Sequence, residues 1–538
     1  LTPTRTVVLI AIAYGLLAAV VVGLDRQVRW DEVTYLSQVT PGSPDVWFGP
    51  QRARGMTAVL APVALFGAPT TALRIWLIVV HAAALAFAYR PWARYAGWTG
   101  AAAAAVAAVG WVPLYFAVEG YPNLLVAFLA VAFVGHTLLW CRRAGADDRD
   151  GAGPHRATTN RNPRHGTTHG NLVIAALSLA AIAWLRPSES VWVAAGMTPV
   201  VLVLAGRAAW RPIVAFLAGG FVGWLPWLVE AILRFGGPFD RLAAARSTSA
   251  SGADRNSLIQ YLNLIEGPVR RVVADPVLTG PALLLLVAGA LLVVLGVAQR
   301  LDADRRRAAV VGLVIAAAMV APYLLLNAGI NLRYVLPGML LVAVPIGAGL
   351  TTIGAAIHRA GSWTAAIAII ALLASTAGWQ VHLADTNADD IAPLQARPVP
   401  LGEALADAAD GHPCAVLSNV QWPEIQWHSG CLGEVLDLGA PLLQCHDARR
   451  DLAALAADGH RVFVLARGEP PFSPAVAGWP VQQLAEPEDG VWRLYERPAD
   501  LGPSDPPTIP PGDESSTPCP PSRAPDTAEV DLDIRWRR

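Results

Sequence analysis

The sequence predicts a mainly α-helical, multi-pass membrane protein with a small α/β domain at its C-terminal end. Three observations predict it. Apolar runs of about 17–25 residues, the length a bilayer crossing needs, recur through the N-terminal two thirds of the chain. Of the 538 residues, 54% are hydrophobic and only 15% charged, against about 25% charged in soluble globular domains. Beyond residue 401 the pattern shifts to short apolar strands separated by polar turns.

Eleven spans are expected, at about 7–24, 73–89, 97–116, 124–140, 172–185, 191–205, 213–233, 281–298, 308–326, 334–350 and 363–379. The first is long for the apolar core of a signal peptide and lacks a small-residue cleavage site, so it is expected to be retained. The stretch 55–67 is apolar, broken by Pro62 and too short to cross; it reads as a helix lying in the interface. Leu258, Ile259, Leu262, Ile265 and Val269 fall on one face at helical spacing and make a second interfacial candidate. The polar insert 141–170 reads as a flexible linker.

Arginine placement orients the spans. Arg90 and Arg94, Arg207 and Arg211, and Arg300 with Arg305 to Arg307 fall in alternate turns. The positive-inside bias makes those turns cytoplasmic, which puts the N-terminus inside and the C-terminal domain outside. Two outer loops break the bias. One carries Arg26, Arg29, Arg52 and Arg54; the other carries Arg234, Arg241, Arg246, Arg255, Arg270 and Arg271. They point either to an anionic ligand at the outer surface or to ion pairs with Asp31, Glu32, Asp45, Asp240 and Asp254.

The expected organisation is a transmembrane domain over 1–380, an extracytoplasmic α/β domain over 381–498 and a disordered Pro-rich tail over 499–538. Cys414 to Leu417, Arg461 to Leu465 and Val491 to Tyr495 read as strands, and 447–458 as a helix. The cysteines are Cys141, Cys414, Cys431, Cys445 and Cys519, with no Cys-x-x-Cys spacing. Disulfides are permitted outside the cell, and Cys414 with Cys431 is the preferred pair. The net charge of −1 is sorted by membrane side and gives no reason to expect a nucleic-acid partner. All 40 basic residues are arginine, which with the abundant Ala, Gly and Pro indicates a GC-rich, actinobacterial genome.

Chemistry gathers at the outer ends of the spans. The acidic pair Asp31-Glu32, flanked by Trp30 and Tyr35, leaves the first span, and carboxylates this close to hydrocarbon are costly. Glu119 lies between the third and fourth spans, Arg186 at the end of the fifth and Arg333 at the start of the tenth. His81 and His136, within spans, read as satisfied core histidines, and Glu230 stays open as a cavity-facing carboxylate. No Walker loop, no Gly-x-Gly-x-x-Gly after a strand and no His-Glu-x-x-His is present, which disfavours a cytoplasmic nucleotide-sugar enzyme.

Trp30-Asp31-Glu32 with Tyr35, Leu185-Arg186-Pro187, and Leu332-Arg333-Tyr334-Val335-Leu336-Pro337 occur in that order at one membrane side. In this the chain resembles the GT-C glycosyltransferases. Within them it is most similar to the branch of the protein O-mannosyltransferases and the lipid A aminoarabinose transferase. The resemblance implies a polyprenyl-phosphate sugar donor, transfer on the extracytoplasmic face, and a hydroxyl acceptor on a glycan, lipid or protein. It implies Asp31 as general base, with Glu32 holding the loop or sharing the work. Arg333, then Arg186, then Arg52 or Arg54 are the candidates for the lipid phosphate, because the guanidinium fork matches phosphate oxygens. Glu119 and Tyr35 complete the expected substrate contacts, and a divalent ion between Asp31 and Glu119 is a further expectation. The alternatives are a transporter or flippase, for which paired halves and broken midplane helices are expected, and an O-antigen-type ligase or non-catalytic envelope scaffold.

Overall fold

The computed structural model describes residues 1–44, 46–150, 166–249, 280–298, 302–325, 331–418, 422–435, 455–467, 479–484 and 492–498. A helix occupies the place of every expected span, because in hydrocarbon only helical backbone satisfies its own polar groups within one segment. They are Pro3–Val21, Thr70–Ala96, Trp98–Val109 continued by Trp111–Phe116, Pro122–Asp150, Gly166–Leu185, Pro187–Ala205, Trp210–Phe235, Gly280–Ala298, Ala303–Leu325, Leu332–Ala360 and Trp363–Ala396. The third span is therefore two helices that part at Gly110. Among the described residues, seven stretches are long and apolar enough to cross a membrane, and four shorter helices are apolar as well. The chain is a multi-pass membrane protein.

The chain divides into two compact units. The first comprises Leu1–Asp25, Pro50–Val59 and Thr71–Asp390; the second comprises Arg26–Gly49, Leu60–Thr70 and the C-terminal part from Ile391. The division at 390 and 391 falls inside the helix Trp363–Ala396, ten residues past the boundary that composition suggests. The expected interfacial segment near 55 is the helix Gly55–Ala64 with Pro62 inside it. The second interfacial candidate, 258–269, lies outside the described residues.

Small residues let the helices of the first unit approach closely, the packing that lipid-embedded helices favour. A Cβ on Gly219 or Gly223 of Trp210–Phe235 would stand 2.4 or 2.1 Å from the carbonyl oxygens of Ala176 and Ala180 on Gly166–Leu185. At one end of this unit Arg142 donates to the Tyr95 carbonyl at 3.0 Å and lies 3.5 Å from Asp304. That contact gathers the ends of three helices whose connecting turns the arginine pattern assigns to a single membrane side.

The second unit holds a five-stranded mixed sheet: β1 Cys414–Ser418, β2 Leu432–Val435, β3 Arg461–Arg467, β4 Val481–Leu484 and β5 Trp492–Glu496. The order is β2-β1-β3-β5-β4, parallel across β2, β1 and β3 and antiparallel beyond. Alternate residues feed two cores, as a sheet buried on both faces requires. Cys414, Val416, Phe463, Leu465, Trp492 and Leu494 pack with the helix Pro398–Ala409 on one side; Ala415, Leu417, Val462, Val464 and Tyr495 pack with Leu455 on the other. The sequence shows β1, β3 and β5 by their apolar runs; β2 and β4 are four residues each and carry too little pattern. Cys414 and Cys431 form a disulfide that ties β1 to the start of β2. Cys141 is free and buried.

Candidate functional site

Residues 30–36, expected as loop, form a short helix, Trp30–Leu36. Its seven residues are too few to show helical periodicity. Glu32, fully buried, accepts a hydrogen bond from the Arg29 backbone N–H at 2.9 Å. Its carboxylate thus caps the N-terminal turn of this helix. Asp31 sits in the first turn and is partly exposed. Tyr35 is buried and packs edge-on against Phe48, with centroids 5.9 Å apart. Within the second unit this helix lies against another, Trp422–Ser429.

The first unit brings together Arg186 and Arg333, which the sequence singled out separately. Arg186 precedes the helix Pro187–Ala205, and its guanidinium lies 5.1 Å from the Tyr334 ring centroid. Arg333 opens the helix Leu332–Ala360, whose N-cap Asn331 accepts from the Arg333 backbone N–H at 3.1 Å. The Arg333 guanidinium lies 5.3 Å from the same Tyr334 centroid and 4.6 Å from that of Tyr121. Tyr334 stacks on Tyr323 at 5.4 Å with the rings 8° from parallel. Arg186 donates to the Tyr323 hydroxyl at 3.1 Å, and that hydroxyl donates to buried Glu189. Arg186 and Glu189 are 3.6 Å apart.

Two guanidinium groups are therefore held over one aromatic platform by cation–π contact and one buried carboxylate. Both remain partly exposed. Planar cations fixed in this way can bind a phosphate through bidentate hydrogen bonds with little ordering cost. Sequence reasoning missed Glu189, Tyr323, Tyr334 and Tyr121 as members of the cluster. Glu189 carried a signal, its i,i+3 spacing from Arg186; Tyr323 and Tyr121 come from helix ends that only the fold brings near.

Glu119 is fully buried in the same unit, two residues before Tyr121. The Arg74 guanidinium donates to the Val118 carbonyl at 2.6 Å, and a His81 ring nitrogen lies 2.9 Å from the Ala117 carbonyl. Arg74 and His81, both fully buried, thereby fix the backbone on which Glu119 and Tyr121 are carried. His81 is buried with one ring nitrogen at the Ala117 carbonyl and its Nε2 without a partner among the described residues; the His136 ring lies 3.1 Å from Asn171.

Arg54 has a different setting. It donates to Glu230 at 2.8 and 3.0 Å, and Glu230 also accepts from Arg234 and Arg241, each at 2.9 Å. Arg241 is fully buried and donates to the carbonyls of Pro50, Trp227 and Arg52. Burial lowers its pKa, and Glu230 opposes that shift. Glu230, which is not among the acids the sequence offered as partners, pairs with Arg54, Arg234 and Arg241. Arg52, largely buried, contributes its carbonyl here. Next to Arg54, a Cβ on Gly55 would stand 2.7 Å from the Trp184 carbonyl and 2.8 Å from the Leu185 Cα. The Arg54 cluster and the Arg186 cluster thus adjoin through backbone contact.

Among the described residues no group of three His, Cys, Asp or Glu side chains comes together to hold a metal. Asp31 and Glu119 each supply one carboxylate, in separate units.

No protein-family model and no curated protein matches the chain by sequence. Solved structures do match it. ArnT from Cupriavidus metallidurans bound to undecaprenyl phosphate superposes with a TM-score of 0.61 at 14% identity, over 93% of this chain and 99% of that one. The archaeal oligosaccharyltransferase AglB from Archaeoglobus fulgidus, in complex with an inhibitory peptide and a dolichol-phosphate, gives 0.50 at 13% identity, over 91% and 74%. The Archaeoglobus fulgidus oligosaccharyltransferase in complex with Zn and sulfate gives 0.51 at 13% identity, over 85% and 68%. At these identities the likeness is one of fold alone: a mainly helical membrane domain with a small C-terminal sheet.

Proposed function

We propose that the chain is a glycosyltransferase that moves a sugar from a polyprenyl-phosphate carrier to a hydroxyl acceptor on the extracytoplasmic side. The observation that carries this reading is the convergence of Arg186 and Arg333 on Tyr334. Two cations held by aromatic rings at the end of apolar helices suit a phosphate on a lipid anchor. The fold shared with ArnT, whose structure holds undecaprenyl phosphate, supports the same donor class.

In this reading the Asp31 carboxylate takes the proton of the acceptor hydroxyl. The oxygen attacks the anomeric carbon, and the bond from that carbon to the phosphate oxygen breaks. The polyprenyl phosphate leaves with the bonding electron pair, and Arg186 and Arg333 meet the charge that develops on it. Glu32 keeps the first helical turn formed so that Asp31 stays in place. Glu119, on a segment pinned by Arg74 and His81, orients the acceptor or the sugar.

The test is transfer of labelled sugar from polyprenyl-phosphate donors by the purified protein, with Arg186→Gln and Arg333→Gln beside the wild type. The reading expects both variants to raise the donor KM and lower kcat/KM by about 10- to 100-fold, the range of a charge-assisted phosphate contact. Translocation of intact donor without cleavage of the sugar–phosphate bond would place the protein among transporters instead.

A further inference from the structure

The outer surface of the helix Trp210–Phe235 carries a groove of about 460 Å³ that the proposed reaction does not use. Its polar end is Arg54, Glu230 and Arg234; its walls are Leu225, Val229 and Leu233 with Pro226. Three guanidinium groups converge on the one carboxylate of Glu230, so the four-residue cluster carries net positive charge. Arg54 and Arg234 are about one third exposed, while Arg241 behind them is fully buried and locks Glu230 in place. The same helix exposes Phe221, Val222 and Leu225 before the charges and Val229, Ile232 and Leu233 beside them. From residue 221 to residue 233 that apolar strip runs about 18 Å at 1.5 Å per residue, comparable to one leaflet's half of a ~30 Å hydrocarbon core.

We infer that this groove binds an anionic phospholipid of the surrounding bilayer. Its phosphodiester sits against Arg54 and Arg234, and an acyl chain lies along Leu225, Val229 and Leu233. Charge complementarity selects an anion at the mouth, and the apolar walls select a chain beneath it. The carboxylate at the centre of the cluster favours a singly charged phosphodiester over a doubly charged phosphomonoester. The inference does not depend on the proposed transfer reaction, since it concerns the protein's membrane-facing surface.

The experiment is native mass spectrometry of the full chain released from nanodiscs containing equal phosphatidylglycerol and phosphatidylcholine, with no sugar donor present. The wild type is expected to retain phosphatidylglycerol at least five-fold over phosphatidylcholine. Arg234→Gln, with its side chain 39% exposed, and Val229→Trp, which fills the groove and leaves the charges, are each expected to reduce that preference to about two-fold or less. Arg186→Gln is expected to keep it. Equal retention of the two lipids by the wild type would overturn the inference. So would a preference that survives both groove variants, one lost with Arg186→Gln, or displacement of the retained phosphatidylglycerol by equimolar polyprenyl phosphate.

Discussion

The guanidinium of Arg186 lies 5.1 Å from the ring centroid of Tyr334, the residue that follows Arg333. One aromatic ring therefore positions two cations from distant parts of the chain. Replacing Tyr334 with Leu is expected to impair donor use although no charge is lost. The two arginine variants should then cost less in the Tyr334→Leu background than in the wild type. A double-mutant cycle on kcat/KM checks this, with a coupling of about 0.5–3 kcal/mol expected for groups in direct contact.

Glu230 compensates a guanidinium that water does not reach. Arg241 is fully buried, and Glu230 is its charged partner among the ion pairs of the described residues. Glu230→Gln is expected to destabilise the folded protein by about 3–5 kcal/mol, the cost of breaking a buried pair on one side. The contributions of partly exposed Arg54 and Arg234 are screened and small by comparison. Thermal unfolding in detergent measures it, and Arg234→Gln should shift the midpoint far less.

The Cys414–Cys431 disulfide closes a loop with a sequence separation of 17 between two paired strands. Its reduction is expected to cost the sheet unit about 3 kcal/mol. Limited proteolysis with and without reductant reads this directly, with cleavage C-terminal to residue 400 accelerating on reduction.

Burial also lowers the pKa of His428, in the helix Trp422–Ser429. The unfolded chain then binds a proton, near pH 6.5, that the folded unit resists. Its stability contribution is present above about pH 6.5 and is lost as the pH falls toward the lowered folded-state value. Protease resistance of the C-terminal unit should therefore decline from pH 7.5 to pH 5, and His428→Gln should flatten that slope.

The spans were legible because length and apolarity alone decide them, and the arginine pattern suggested which turns share a side. Arg142 with Asp304 and Arg186 with Arg333 meet at ends that this alternation pairs. The helix Trp30–Leu36 was not legible: its seven residues mix aromatic, acidic and β-branched side chains, and its N-terminal bond to Glu32 is a local geometry that composition does not show. Glu230 looked like an open carboxylate because only Arg234 lies within a helical turn of it; Arg54 and Arg241 reach it through the fold. The Glu189–Tyr323–Tyr334 support went unread for the same reason, since tyrosines at span ends ordinarily belong to the aromatic belt.

Asp31→Asn is the variant on which the proposed function stands most directly. Single-turnover transfer from a bound polyprenyl-phosphate sugar should fall by about 10²- to 10⁴-fold, the contribution of a positioned general base, while donor affinity and the melting temperature stay near wild type. Transfer by Asp31→Asn at a rate close to wild type would contradict it.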